Sequence, residues 1–300
     1  MGIEIKDYSR GFYYPPEFEG LVKLLRFPDS EVKRSGIPNG TIWIFNNGHS
    51  YEPRILGNDV GCGMAAFVIS EVDPKEGCDK IYESLKDTNF LGRGNHFVDI
   101  CSAIQSPHLD YTTAHNVLIV HSDGKQLQKE EGPISFEEAE RRVRDACRFR
   151  EELGQSLSDI IGARSCETIG NWPHNLVYRK DGFIFYHKGV IRTEAEKVHI
   201  LPASLGQKII LYTVHQAKMP PHESMPHATG RIGPTGENKV SLEKVEELRR
   251  QLYIPQGISS SALRAEHPDC FNNFDGILSI LGEYMVTLAE IKILGYIGKA

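Results

Sequence analysis

The residues best suited to chemistry here are histidines and one cysteine, most of them beside glycines or at the ends of apolar runs. In GNDVGCGM (residues 57–64), Cys62 stands between two glycines and three residues after Asp59. A thiolate is a soft ligand with lone pairs enough to bridge two ions, and a carboxylate is a hard one suited to Mn²⁺ or Mg²⁺. A solitary cysteine of this kind is more often a small buried hydrophobe. Gly61 and Gly63 would let the backbone come close to bound ions. LGRGNHFVDI sets Asn95 and His96 at the entrance of an apolar strand. The Gly-x-Gly before them is, by itself, commonly just a turn. His121 leaves a strand in IVHSDGK, and His174 and Asn175 enter one in WPHNLVYRK. His115 and His121 fall on one face of the same strand, and spacing does not choose between them. A single histidine in such a place is usually structural. PHATGRIGPTG carries His227, with Arg231 four residues on. Histidine can serve as nucleophile or base, and a guanidinium fork suits phosphate oxygens.

The elements that must position these residues are partly readable. TIWIF (41–45) reads as a strand, as do FVDICSAI and NVLIVHS. GMAAFVIS reads as a buried strand with Cys62 at its mouth. GFIFYHKGVI, HILPASLG and KIILYTV add further strands. CDKIYESLKD is a short helix. SFEEAERRVRDACRFREELG is the clearest helix: Ser135 and Glu138 form a capping box. Phe136, Ala139, Val143, Ala146 and Cys147 form its apolar stripe, and Gly154 suits its C-terminal cap. Its Arg- and Glu-rich face reads as solvated. VSLEKVEELRRQLY is a second amphipathic helix, and residues 275–294 a third. FPDSEVKRSGIPNG belongs to a turn-rich first sixty residues, and 219–239 reads as a long functional or disordered loop. The irregular alternation predicts a mixed α+β class, with central β-sheets flanked by helices in a single domain over 1–300.

Composition narrows the function. Hydrophobic residues at 40% and charged residues at 25% are ordinary for a soluble protein. A net charge of -6 argues against a non-specific nucleic-acid coat, while leaving room for a local basic groove. No C-x-x-C pair marks a zinc knuckle or a thioredoxin-like site among the six cysteines. In a reducing compartment a disulfide framework is not expected. MGIEIKDYSRGFYY lacks the apolar core of a signal peptide, and no apolar run is long enough to span a bilayer. A cytoplasmic protein without membrane contact is the expectation.

Read in chain order, DVGCG, GRGNHFVD, VHSDG, HNLVYR, YHKGV, PASLG, HATGR, PDCFNNFD and IGKA resemble the RtcB family of RNA ligases. The likeness runs from about residue 55 to the end of a chain that is compact beside typical members. It implies a site for two Mn²⁺ ions bridged by Cys62. Cys62, His96 and His121 would hold one ion, and Asp59, Cys62 and His174 the other; the order of segments favours His174 over His115. It implies that His227 attacks the α-phosphate of GTP, that GMP passes to an RNA 3′-phosphate, and that a 5′-hydroxyl displaces it. Asn95 and Arg231 would hold phosphate oxygens, with Ser204 among the nucleotide contacts. Asp99 would accept guanine N–H groups, Phe97 and Phe271 would flank the base, and Lys299 would reach guanine O6. The implied substrates are RNA 3′-phosphate or 2′,3′-cyclic phosphate ends and 5′-hydroxyl ends, in tRNA splicing or RNA repair. A helper protein of the archease type is the implied partner.

The sequence departs from the family pattern in its RNA and nucleotide segments. HSDGKQ replaces H-S-G-S-R-G and loses an arginine, and IGPTG follows HATGR where the family continues to a Ser-Arg pair. Ala203 stands for a glycine, Phe271 for a stacking tyrosine and Asn272 for a lysine. Two further readings accompany ligation: a two-metal phosphoesterase, and a non-catalytic metalloprotein that binds RNA ends.

Overall fold

The computed structural model describes residues 3–9, 13, 15–31, 36–88, 90, 96–106, 109, 115–122, 134–234 and 236–298. Asn95 and Lys299, two of the expected nucleotide contacts, lie outside the described residues. The strands are β1 Glu4–Asp7, β2 Leu21–Glu31, β3 Asn39–Asn46, β4 Gly63–Ile69, β5 Phe97–Cys101, β6 Asn116–Ser122 and β7 Cys166–Pro173. They continue as β8 Asn175–Lys180, β9 Phe183–Lys188, β10 Val190–Arg192, β11 His199–Pro202, β12 Lys208–Val214, β13 Ser224–Pro226 and β14 Met285–Gly298. The helices are α1 Pro53–Leu56, α2 Pro74–Leu85, α3 Phe136–Ile161, α4 Leu242–Gln251, α5 Ser260–Leu263 and α6 Phe274–Leu281. The class is mixed α+β, as the alternation predicts.

Seven strands form one sheet in the order β11-β12-β14-β5-β6-β4-β7, five form another in the order β1-β2-β3-β9-β8, and β10 pairs with β13. In the larger sheet every residue of β4 and β6 is buried. That explains their unbroken apolar sequence, since a strand covered on both faces has no solvated side to alternate with. β7 and β8 are consecutive in the chain but belong to different sheets, and His174 is the single residue between them.

Helix α3 lies against β4, β6, β7 and β8. It starts as predicted, with Ser135 Oγ accepting from the Glu138 amide at 3.2 Å. It does not end at Gly154. It runs to Ile161 and closes on Gly162, which takes the left-handed conformation at φ 79°. Gly154 is instead a packing position: a Cβ there would lie 2.2 Å from the Phe67 ring of β4. The charged face also differs from expectation, because Arg150 is fully buried.

Three more segments depart from the sequence reading. Residues 275–294 do not form one helix; α6 stops at Leu281 and β14 follows. β14 pairs with β12 through Met285–Lys292 and with β5 through Ile293–Gly298, and turns Ala289, Ile291 and Ile293 inward with strand periodicity. That pairing overrides the helix-favouring Ala, Glu, Leu and Lys in its sequence. FPDSE belongs to β2, where the register shifts between Arg26 and Glu31 around Pro28. Within 219–239, a short 3₁₀ turn leads into β13, which pairs Met225 with Ile191 of β10. No helix among the described residues is long and apolar enough to cross a membrane.

Two measurements check this packing. Gly154→Ala pushes a methyl group into Phe67 and is expected to destabilise by about 1–3 kcal/mol; an unchanged or raised urea midpoint would contradict the packing role. His187 in β9 donates Nδ1–H to the Val190 carbonyl at 3.3 Å and accepts from the Tyr178 hydroxyl at 3.2 Å, which suits the neutral ring. Burial pushes its pKa down to about 3. The unfolded chain therefore takes up the proton first, so this contribution to stability is present above about pH 6.5 and lost below it. Between pH 7 and pH 5 the loss through His187 is about 2 kcal/mol. His187→Gln is expected to flatten that slope in urea titrations, and equal slopes in the two proteins would contradict it.

Candidate metal centre

The site begins with strand register. Gly63, the first residue of β4, pairs with Ser122 of β6 on one side and Pro173 of β7 on the other. Cys62, His121 and His174 each lie one residue from that row, so three adjacent strands bring them together. Backbone hydrogen bonds fix the arrangement. The Cys62 carbonyl accepts from the His174 amide at 2.8 Å and the Asn175 amide at 3.2 Å, and the Gly61 amide donates to Asn175 O at 2.8 Å.

Cys62 Sγ lies 3.4 Å from His121 Nε2 and 3.3 Å from His174 Nε2. The three donor atoms lie within 4.8 Å of one another, and all three residues are buried. This group can bind a metal ion. One thiolate and two imidazoles make a donor set suited to first-row divalent transition ions or Zn²⁺. Burial drives the His174 pKa far down, helped by the nearby His227, His121, Arg150 and Lys188. The ring is therefore neutral, as a ligand must be. His174 Nδ1 is buried and has no hydrogen-bond partner among the described residues.

Asp59 and His96 lie outside this group. The Asp59 carboxylate accepts from Asn175 Nδ2 at 2.8 Å and lies 3.6 Å from Lys188 Nζ. His96 donates Nδ1–H to the Phe90 carbonyl at 2.8 Å, which leaves Nε2 with the ring's lone pair. His115 is also outside the group. Gly61 and Gly63 also permit close packing. A Cβ on Gly61 would lie 2.7 Å from Ala146 Cβ, and one on Gly63 would lie 2.7 Å from Arg150 Nη2. Gly61 thus admits helix α3, and Gly63 admits both Arg150 and the backbone of β7 at Trp172 and Pro173.

His121 and His174 also line a cleft of about 140 Å³. His227, just after β13, lines it too, with its ring centroid 4.6 Å from that of His174. Its Nδ1 lies 3.1 Å from Oδ2 of Asp29 in β2. Asp29 is fully buried; burial raises its carboxyl above the usual range, opposed by the His227 hydrogen bond. Sequence reasoning missed Asp29 because Pro-Asp-Ser reads as a turn.

Most of the expected nucleotide contacts share this cleft. Asp99 lines it, with Oδ1 buried and unpartnered among the described residues, and burial holds its carboxyl well above the usual range. Phe97 packs on His121 at 4.9 Å. Ser204 donates to Gln207 Oε1 at 2.9 Å. Arg231 is already engaged: its guanidinium meets both Glu266 carboxylate oxygens, at 2.9 and 3.0 Å, bonds the Ala265 carbonyl, and lies over the Phe271 ring.

The geometry predicts unequal damage from two substitutions. Cys62→Ala is expected to weaken metal binding by more than the roughly 10- to 100-fold that loss of a supporting residue causes. Asp59→Ala should leave an ion held by the remaining three ligands. Metal content after dialysis, measured by mass spectrometry, reads both; equal content in Cys62→Ala and wild type would contradict the assignment. Compared with known proteins, the sequence matches no protein-family model and no curated protein.

Proposed function

We propose that this protein is a Mn²⁺- and GTP-dependent RNA ligase that joins 3′-phosphate or 2′,3′-cyclic phosphate ends to 5′-hydroxyl ends through a His227–GMP intermediate. The observation that carries the reading is the Asp29–His227 pair. A histidine held by a buried carboxylate stands at the edge of a Cys-His-His group, on a cleft that it shares with His121 and His174. The ordered motif resemblance supplies the reaction class.

In this reading Cys62, His96 and His121 would hold one ion, and Asp59, Cys62 and His174 the other. Bound Mn²⁺ would neutralise the triphosphate and orient in-line attack. His227 keeps its Nδ1 proton on Asp29, so Nε2 carries the lone pair. Nε2 bonds to the α-phosphorus as the bond to pyrophosphate breaks, and Asp29 stabilises the positive charge that develops on the ring. An oxygen of the RNA 3′-phosphate then attacks the same phosphorus, and the Nε2–P bond breaks. The 5′-hydroxyl attacks the 3′-phosphate, loses its proton, and GMP leaves. A cyclic phosphate requires opening by water first. Asp99, Phe97, Phe271, Ser204 and Arg231 make up the nucleotide pocket, the motif resemblance adds Asn95 and Lys299 as nucleotide contacts, and a helper of the archease type assists turnover.

A second reading, metal-dependent hydrolysis of phosphate esters, is favoured by the commitment of Arg231 to Glu266. There His227 donates a proton to the leaving oxygen.

Incubation with α-labelled GTP and Mn²⁺ separates the two. Ligation predicts acid-labile label on wild type, none on His227→Ala, and about 10- to 100-fold slower labelling in Asp29→Asn. Phosphate release without covalent label would establish hydrolysis instead. RNA-end binding that survives His227→Ala, with neither label nor release, would leave a binding protein.

A further inference from the structure

Helix α3 places a guanidinium where its own periodicity calls for an apolar side chain. Ala139, Ala146, Leu157 and Ile161 are buried along one face, and Arg150 falls in that row with no solvent exposure. Among the described residues it makes no ion pair with a carboxylate. A buried cation without an acid partner is costly, and an apolar residue of similar volume would avoid that cost.

The bonds of Arg150 show what it holds. Nη1 donates to Gly61 O at 2.7 Å and to Ser122 O at 3.2 Å. Gly61 O belongs to the peptide whose nitrogen is that of Cys62, and Ser122 directly follows His121. Nε donates to Asn171 Oδ1 at 2.9 Å, and Nη2 meets Cys147 Sγ at 3.2 Å. One planar group thus fastens the backbone beside two of the three donors. The third, His174, hangs from the Cys62 carbonyl through its own amide. The chain makes room for this contact, because Gly63 has no side chain where Nη2 sits, 2.7 Å from the place a Cβ would occupy.

We infer that Arg150 is the positioning residue of the metal centre. Its guanidinium clamps the Gly61 and Ser122 carbonyls and so sets the separation of Cys62 Sγ and His121 Nε2 before an ion arrives. The inference rests on the metal-binding part of the reading above and not on ligation. Lysine does not substitute, since a single ammonium on a flexible stem lacks the rigid fork that meets two carbonyls and an amide together.

The test uses the full-length protein with Co²⁺ as the probe. Thiolate-to-Co²⁺ absorption reports the Cys62 bond, and chelator competition gives affinity. Arg150→Lys is expected to bind Co²⁺ about 10- to 100-fold more weakly, with an altered thiolate band, while circular dichroism shows a folded chain. Asn171→Ala removes the Nε partner, together with the bonds Asn171 Nδ2 donates to Cys147 O and Glu151 Oε1, and leaves the guanidinium in place; about a three- to tenfold loss is expected. It also serves if Arg150→Lys does not fold. Wild-type affinity and an unchanged band in every variant that folds would overturn the inference. Absence of a thiolate band in wild type would overturn it together with the metal reading. A protein that shows these losses yet takes no label from GTP would refute ligation and uphold the clamp.

Discussion

The site depends on the pairing of one strand. β4 lies between β6 and β7, and its first residue, Gly63, is opposite Ser122 on one side and Pro173 on the other. Because side chains alternate along a strand, a slip of one residue in β6 would turn His121 to the opposite face. The same register delivers His174 to Cys62 through the Cys62 carbonyl. The apolar run of β4 and β6, buried throughout, makes such a slip expensive. The hydrophobic core is thereby the device that holds polar donors a few ångströms apart.

Around that register the three sheets contribute different parts. The seven-stranded sheet supplies Cys62, at the start of β4, and His121. The β7–β8 corner, where the chain passes to the five-stranded sheet, supplies His174. β2 of the five-stranded sheet supplies Asp29, and the β10–β13 ribbon ends one residue before His227. Arg150 reaches in from helix α3 behind the donors. Ionisable groups are consequently concentrated in an interior where each must be satisfied locally. Asp29 leans on His227, Asp59 on Asn175 and Lys188, and Arg231 on Glu266. Asp99 retains a buried oxygen with no partner among the described residues, facing the cleft.

Much of the site was legible because glycine and histidine at strand ends leave local signals. Cys62 at the mouth of an apolar run, His121 at a strand exit and His174 at a strand entrance could each be placed from flanking residues alone. Their convergence could not, since it arises from non-local pairing; only the ordered motif resemblance suggested it. Two residues escaped for separable reasons. Asp29 was hidden by turn-forming neighbours that tertiary pairing draws into β2. Arg150 lies four residues past Ala146 on the apolar stripe, but its charge reads as part of the solvated Arg- and Glu-rich face. β14 reads as helix from its Ala, Glu and Lys, and their pairing with β12 overrides that preference.

The central claim is that Cys62, His121 and His174 are ligands of one metal centre beside His227. Anomalous scattering from crystals soaked in Mn²⁺ addresses it most directly. A single ion should give one peak bonded to Cys62 Sγ and both Nε2 atoms; two ions should give two peaks that share the sulfur, one on His121 Nε2 and the other on His174 Nε2. Well-ordered crystals with no peak at these three atoms would contradict it.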